Sequence, residues 1–267
     1  GKSTLFNCLT AFDRPDEAET LLREVVARHP MMPEAIFEFG HLHLSDPARR
    51  DEGIAFLTRA ARLDSDPFYA KELGRHLLDG ADWPGAEGWL KKALASGLED
   101  EETMLNLYLA LLYQKKYPAA ENVLRQIMVR QPGHMQATLF LAEVLLLRGK
   151  AKEAAAAVKK VMGRYRGPND AEALERCPEA IIDPVGAVHW IAGYAALHEG
   201  RFRAAAGHFR RARKEAADLE GWFEELNRLT ARRLLEDPSF AAEARAVIRT
   251  NLPALNLHST TEEGEKP

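Results

Sequence analysis

Apolar residues recur along the chain at helical spacing, in short blocks separated by polar turns. The clearest block runs from 101 to 132. There "EETMLNLYLALLYQ" carries Met104, Leu107 and Leu111, the turn "KKYP" follows, and "AAENVLRQIMVRQP" places Ala120, Val123, Leu124, Ile127 and Met128 at i, i+3, i+4, i+7 and i+8. A stripe of that spacing buries one face of an amphipathic helix, so the block predicts two helices joined by a short turn. Pro30 and Pro132 mark where second helices stop, because proline has no N–H with which to continue the ladder. The chain offers no strand candidate.

This block is one of a series. "GHLHL" at Gly40 and "GRHLL" at Gly74 lie 34 residues apart, and steps of 34 reach Phe6, Tyr108 and Ala142. The residue before each is large and apolar: Leu5, Phe39, Leu73, Leu107 and Leu141. Twelve residues after each come Ala18, Glu52, Ala86, Ala120 and Ala154. Glu52 is followed by Gly53, so a one-residue insertion near "SDPARRD" restores the small residue there. The next shared position reads Val25, Ala60, Ala93, Ile127 and Val161. A sixth unit, "WIAGYAALHEGRFRAAAGHFRRA", repeats the pattern with Gly193, Gly200, Ala205 and Ala212 after a 17-residue interruption. Small residues at fixed places let paired helices approach closely.

With a large apolar residue, then Gly or Ala, then a turn aromatic (Trp83, Tyr117, Phe202), two spaced alanines and a closing proline, the sequence resembles the tetratricopeptide repeat family over residues 1–162 and 185–214. Units one and two lack the turn aromatic, and Phe6 and Tyr108 occupy the small position. The resemblance implies an all-α fold: a right-handed α-solenoid of about six helix-turn-helix repeats, since no unit buries its apolar face alone and neighbours must stack. It also implies a concave groove lined by the first helix of each repeat. Carried over by register, that lining is Asn7, Phe37 and His41, Lys71 and Arg75, Leu105, Leu109 and Tyr113, Leu139 and Glu143, and Trp190 and Tyr194. Lys71 and Arg75 could pair one acidic group, while units four to six offer an apolar and aromatic floor. The groove holds either a partner or the chain's own insertion or C-terminal helices.

Residues 163–184 break the period between Gly167-Pro168 and Asp183-Pro184, and read as a longer loop with a short helix or as a partner-binding insertion. Residues 215–252 read as two capping helices: one with Trp222, Phe223, Leu226, Leu229 and Leu234, the other opening at Pro238. Residues 253–267 lack apolar material and read as a disordered tail.

Composition narrows the function classes without choosing a partner. A net charge of -4 gives no electrostatic case for nucleic acid or an anionic membrane. Cys8 and Cys177 make neither a disulfide framework nor a zinc site, which points to a reducing, cytoplasmic setting. No apolar run approaches the roughly 20 residues of a membrane span. The opening "GKST" matches the end of a phosphate-binding loop, but the loop's first glycine, its strand and a downstream acidic metal ligand are missing, and Leu5 and Cys8 fit repeat positions. His41 and His43 stand i and i+2, too divergent on a helix to chelate one metal. His189, His198 and His208 keep no ligand spacing. "HFRRARK" reads as a solvated helix face. No catalytic, cofactor or metal motif is expected.

The first reading is thus a non-catalytic scaffold that binds a protein or peptide in its groove. Two others stand beside it: a targeting module of a larger enzyme, and a structural array that self-associates through its first repeat. The chain begins at Gly1, and the first repeat helix has no N-terminal cover, which points to truncation or a partner there.

Overall fold

The computed structural model describes residues 15–98, 100–163 and 184–252 of the chain. Every regular element among them is helical. The chain divides into two compact units, 1–116 and 117–267. In the first unit lie α1 (Pro15–Arg28), α2 (Pro33–Leu44), α3 (Arg50–Leu63), α4 (Pro67–Asp79), α5 (Trp83–Ala95) and α6 (Glu101–Tyr113). The second holds α7 (Tyr117–Arg130), α8 (Met135–Leu147), α9 (Ala151–Met162), α10 (Pro184–His198), α11 (Phe202–Glu215), α12 (Glu224–Glu236) and α13 (Pro238–Asn251). Consecutive helices pack on one another within each unit, as in an α-solenoid. No helix among the described residues is long and apolar enough to cross a membrane.

The 34-residue period survives as geometry. The first helices of repeats two to five begin at Pro33, Pro67, Glu101 and Met135, each 34 residues after the last. Local chemistry fixes several helix starts. Asp66, Asp82 and Asp100 accept hydrogen bonds from the backbone N–H of Phe68, Gly85 and Thr103 at 2.9, 3.0 and 2.8 Å, which satisfies N–H groups that a helix start leaves unpaired. Pro67 and Pro84 then occupy first-turn positions, where a missing N–H costs nothing. The expected slip in repeat two is present: a 3-10 turn at Pro47–Arg49 lengthens the connection and delays α3 to Arg50.

Repeats three to six share one turn. Ala81, Lys115, Gly149 and Gly200 sit at φ 61, 58, 74 and 76°. At each, paired backbone bonds close the helix end: Ala81 N–H reaches Leu78 O at 3.0 Å and Asp82 N–H reaches Leu77 O at 2.9 Å, with the same pattern at the other three. This is a Schellman closure, which needs one left-handed residue.

The register positions form the core. Phe39, Leu73, Leu107 and Leu141 are buried, as are Ala18, Gly53, Ala86, Ala120, Ala154 and Ala205, followed by Val25, Ala60, Ala93, Ile127, Val161 and Ala212. Burial of each large apolar side chain contributes roughly 1.5–3 kcal/mol. At Gly74, a Cβ would fall 2.6 Å from Leu90 Cγ, so α4 and α5 touch backbone to side chain there.

Neighbouring repeats are also tied by acidic residues that directly follow the small one. Arg49 grips Glu19 with two bonds of 2.9 and 3.0 Å. Glu87 accepts from Lys91 and Lys116 at 2.6 Å each and from Gln114 at 2.9 Å. Glu121, 1% exposed, is ion-paired with Arg125, Arg148 and Lys150. In each case the basic group of the next repeat comes from its helix-to-helix turn.

The C-terminal segment departs from expectation in one respect. Ala217–Phe223 is a 3-10 segment, and α12 begins only at Glu224. Phe223, Leu226 and Leu234 are buried, but Trp222 is 51% exposed, because the 3-10 turn points it away from the face that α12 buries. α13 opens at Pro238 as its sequence predicts. The first helix of repeat one with Asn7, most of the 163–184 insertion and the 253–267 tail lie outside the described residues.

Candidate functional site

Within the first unit, the predicted lining residues come from α2, α4 and α6. Phe37 is buried and its ring meets three others: His41 at 4.5 Å, Tyr69 at 5.2 Å and Phe68 at 5.4 Å between centroids. Phe68 itself is 47% exposed, so an aromatic cluster rooted in the core ends at solvent. On α6, Leu105 is fully buried, Leu109 is half-buried and Tyr113 is 46% exposed, with its ring stacked on Trp83 at 5.3 Å.

The two cations of this face are engaged within the chain. Lys71 pairs with Glu102 and lies 3.6 Å from Asp100, and its side chain is only 17% exposed. Arg75 donates to Glu72 at 2.8 Å and lies 3.7 Å from Asp79. A partner's acidic group at either residue must displace a carboxylate already there. Tyr69, buried and ringed by Glu34, Asp64, Asp66 and Glu38, has its phenol pushed up to about 12 and stays protonated.

Between α2 and α4, a titratable cluster forms. The Nε2 atoms of His41 and His76 are 3.1 Å apart, and Glu72, one helical turn before His76, completes a group whose ligand-type atoms all lie within 4.8 Å of one another. Arg75 Nη2 donates to His76 Nε2 at 3.1 Å, so that nitrogen is an acceptor and His41 Nε2 carries the hydrogen between the rings. The remaining N–H of His76, on Nδ1, is 4.0 Å from Asp79 Oδ2. Burial, then Arg75 and His41, hold His76 down at about 4; burial and Arg75 likewise lower His41 against the pull of Glu72. Both rings are neutral at pH 7. His43, two residues from His41, faces other neighbours, Arg49 and Glu52, and is buried.

The second unit treats its predicted lining differently. Leu139, Glu143, Trp190 and Tyr194 are all buried. Trp190 Nε1 donates to Ala216 O at 2.6 Å and Tyr194 OH donates to Asn227 Oδ1 at 2.7 Å, and both rings lie near Phe223. α12 packs on α8 as well as on α13. The chain's own C-terminal helices therefore cover Trp190 and Tyr194.

Register alone did not single out Phe68, Glu72 and His76. The spacing that reveals His76 is 35 from His41, one residue more than the period, which brings it beside its neighbour across adjacent repeats.

A family model for the tetratricopeptide repeat matches residues 105–171. Comparison with curated proteins gave no match. Several solved structures are similar in fold. YrrB, described as a TPR protein with an unusual peptide-binding site, is 17% identical, with 74% of this chain and 93% of that one covered and a TM-score of 0.53. PilW, a type IV pilus biogenesis factor, is 18% identical over 86% and 96%, with a TM-score of 0.52. MamA from Desulfovibrio magneticus RS-1 is 18% identical over 64% and 96%, at 0.54. At these identities the likeness is one of fold.

Proposed function

The chain is built of tetratricopeptide repeats, and on that premise we propose that it is a non-catalytic scaffold which holds an apolar segment of a protein partner on α2, α4 and α6. The observation that carries this reading is the pair of large aromatic side chains, Phe68 and Tyr113, left about half exposed on first helices of consecutive repeats. Each is backed by further aromatic rings, so each presents a rigid contact that loses little rotamer freedom on binding. Half-buried Leu109 and His41 supply the ground around them. Because Lys71 and Arg75 are paired within the chain, they set register for a partner and add little attraction. The peptide-binding site named for YrrB is consistent with such a use of the fold.

A displayed peptide library panned on the full chain tests this. Selected peptides should carry large apolar residues and bind the Phe68→Ala and Tyr113→Ala variants at least about tenfold more weakly, the cost typical of truncating an interface anchor. Circular dichroism would establish that the variants remain helical. Equal binding by folded variants would overturn the reading.

A further inference from the structure

We propose that His41, His76 and Glu72 form a binding site for a divalent transition-metal ion, zinc above all, with one coordination position left for water. The site joins two adjacent repeats of the first unit and does not depend on a peptide partner.

The donor set is two imidazoles and one carboxylate, the borderline nitrogen and oxygen ligands that zinc takes in three-residue sites with an open position. The distances already approach those of a bound ion. Zn–N bonds of 2.0–2.1 Å in a tetrahedron place ligand atoms about 3.3 Å apart; the two Nε2 atoms stand at 3.1 Å. Glu72 and His76 are i and i+4 on α4, so they project from one helix face, and their mutual separation is set by the helix and not by a loop. His41 approaches from α2. The carboxylate, within 4.8 Å of both rings, has only to close on the ion.

The surroundings fit as well. Asp79 Oδ2 lies 4.0 Å from His76 Nδ1, a carboxylate near the second nitrogen, where ligating histidines commonly have one. The hydrogen on His41 Nε2 must pass to its Nδ1, a change of tautomer without change of charge. One group opposes the ion: Arg75, whose guanidinium occupies His76 Nε2 and Glu72. Its other nitrogen already lies 3.7 Å from Asp79, which gives the side chain a place to go. Arg50 also reaches this region, where it donates to His76 O at 2.7 Å.

The experiment is titration of the full chain with zinc chloride, followed by calorimetry, and with cobalt chloride, followed by visible absorption. One zinc per chain should bind at this site, and cobalt should give the d–d bands of a nitrogen–oxygen site. His76→Ala and Glu72→Gln should each weaken that binding by roughly tenfold or more. Glu72→Gln keeps the shape of the side chain and serves if His76→Ala unfolds the chain. Arg75→Gln should do the opposite and tighten binding, an effect that a merely structural cluster would not produce. Binding unchanged in the Glu72→Gln and His41→Ala variants would overturn the proposal and place the metal elsewhere, as at His189 and His208, whose Nδ1 atoms are 3.3 Å apart. No saturable binding by the wild-type chain would overturn it outright.

Discussion

Ala81 and Lys115 hold the same left-handed backbone as Gly149 and Gly200 at equivalent turns, but each carries a Cβ. That region costs an ordinary residue about 1–2 kcal/mol, part of which glycine's greater unfolded-state freedom returns. Ala81→Gly and Lys115→Gly should therefore each stabilise the fold by about 0.5–1 kcal/mol. The check is a higher urea midpoint at unchanged slope; a lower midpoint would show that the turn is not strained. Glycine at 149 and 200 is the residue such a turn favours, whereas Ala81 and Lys115 carry no such sign. What places them there is the Schellman bond pair, a property of where the next helix must go. Lys71 teaches the same lesson from the other side. Its inward register position was legible, but its pairing with Glu102 was not, since that residue comes from the next repeat's helix start.

Among elements, the joints between repeats differ in how they are held. Glu19, Glu87 and Glu121 follow Ala18, Ala86 and Ala120, and each is clasped by the turn of the following repeat. The corresponding residue in repeat two is Ile54, and there Arg50 reaches across to His76 O. Glu121 is the most enclosed of the three carboxylates. Glu121→Ala leaves the partly exposed Arg148 without its anion, while Lys150 keeps Glu153, and should cost about 2 kcal/mol. Glu87→Ala, facing half-exposed lysines, should cost less, about 1 kcal/mol. Urea unfolding of both variants checks the ranking, and a reversed order would refute it. The helix pairs themselves were readable from apolar spacing, including the extra residue in repeat two. The clasps were not. Each of these carboxylates already has a cation four residues on (Arg23, Lys91, Arg125), and nothing local shows a second partner some 30 residues away.

For the molecule as a whole, acid should erode stability in two windows. His198 is packed against Phe240 and Thr230 beside Arg233; burial, then that guanidinium, hold it down at about 4. The unfolded chain then binds the proton more readily than the folded one, so stability falls as pH drops from about 6.5 to 4 and levels below. Burial raises the Glu87 carboxyl, but hydrogen bonds from Lys116, Lys91 and Gln114 outweigh it and hold the group at about 2. That contribution is present above about 4.5 and is lost between there and 2, on the order of 1 kcal/mol given its half-exposed partners. Stability measured against pH should show that His198→Asn shrinks the upper window, where His76 keeps its own share, and that Glu87→Gln shrinks the lower. A profile unchanged by both would count against these assignments. At this scale the sequence was least informative about cover. Trp190 and Tyr194 have the register of groove residues, and only the return of the 217–223 segment and α12 over them decides that they are core.

The constant spacing of Pro33, Pro67, Glu101 and Met135 has a consequence for how such a chain can change length. Excising or duplicating a 34-residue segment puts each later first helix back in register with the repeat before it. A cut of any other length rotates every later side chain off its face. The array can thus gain or shed whole repeats by recombination, as a zipper gains or loses teeth, while its joints keep their individual strengths.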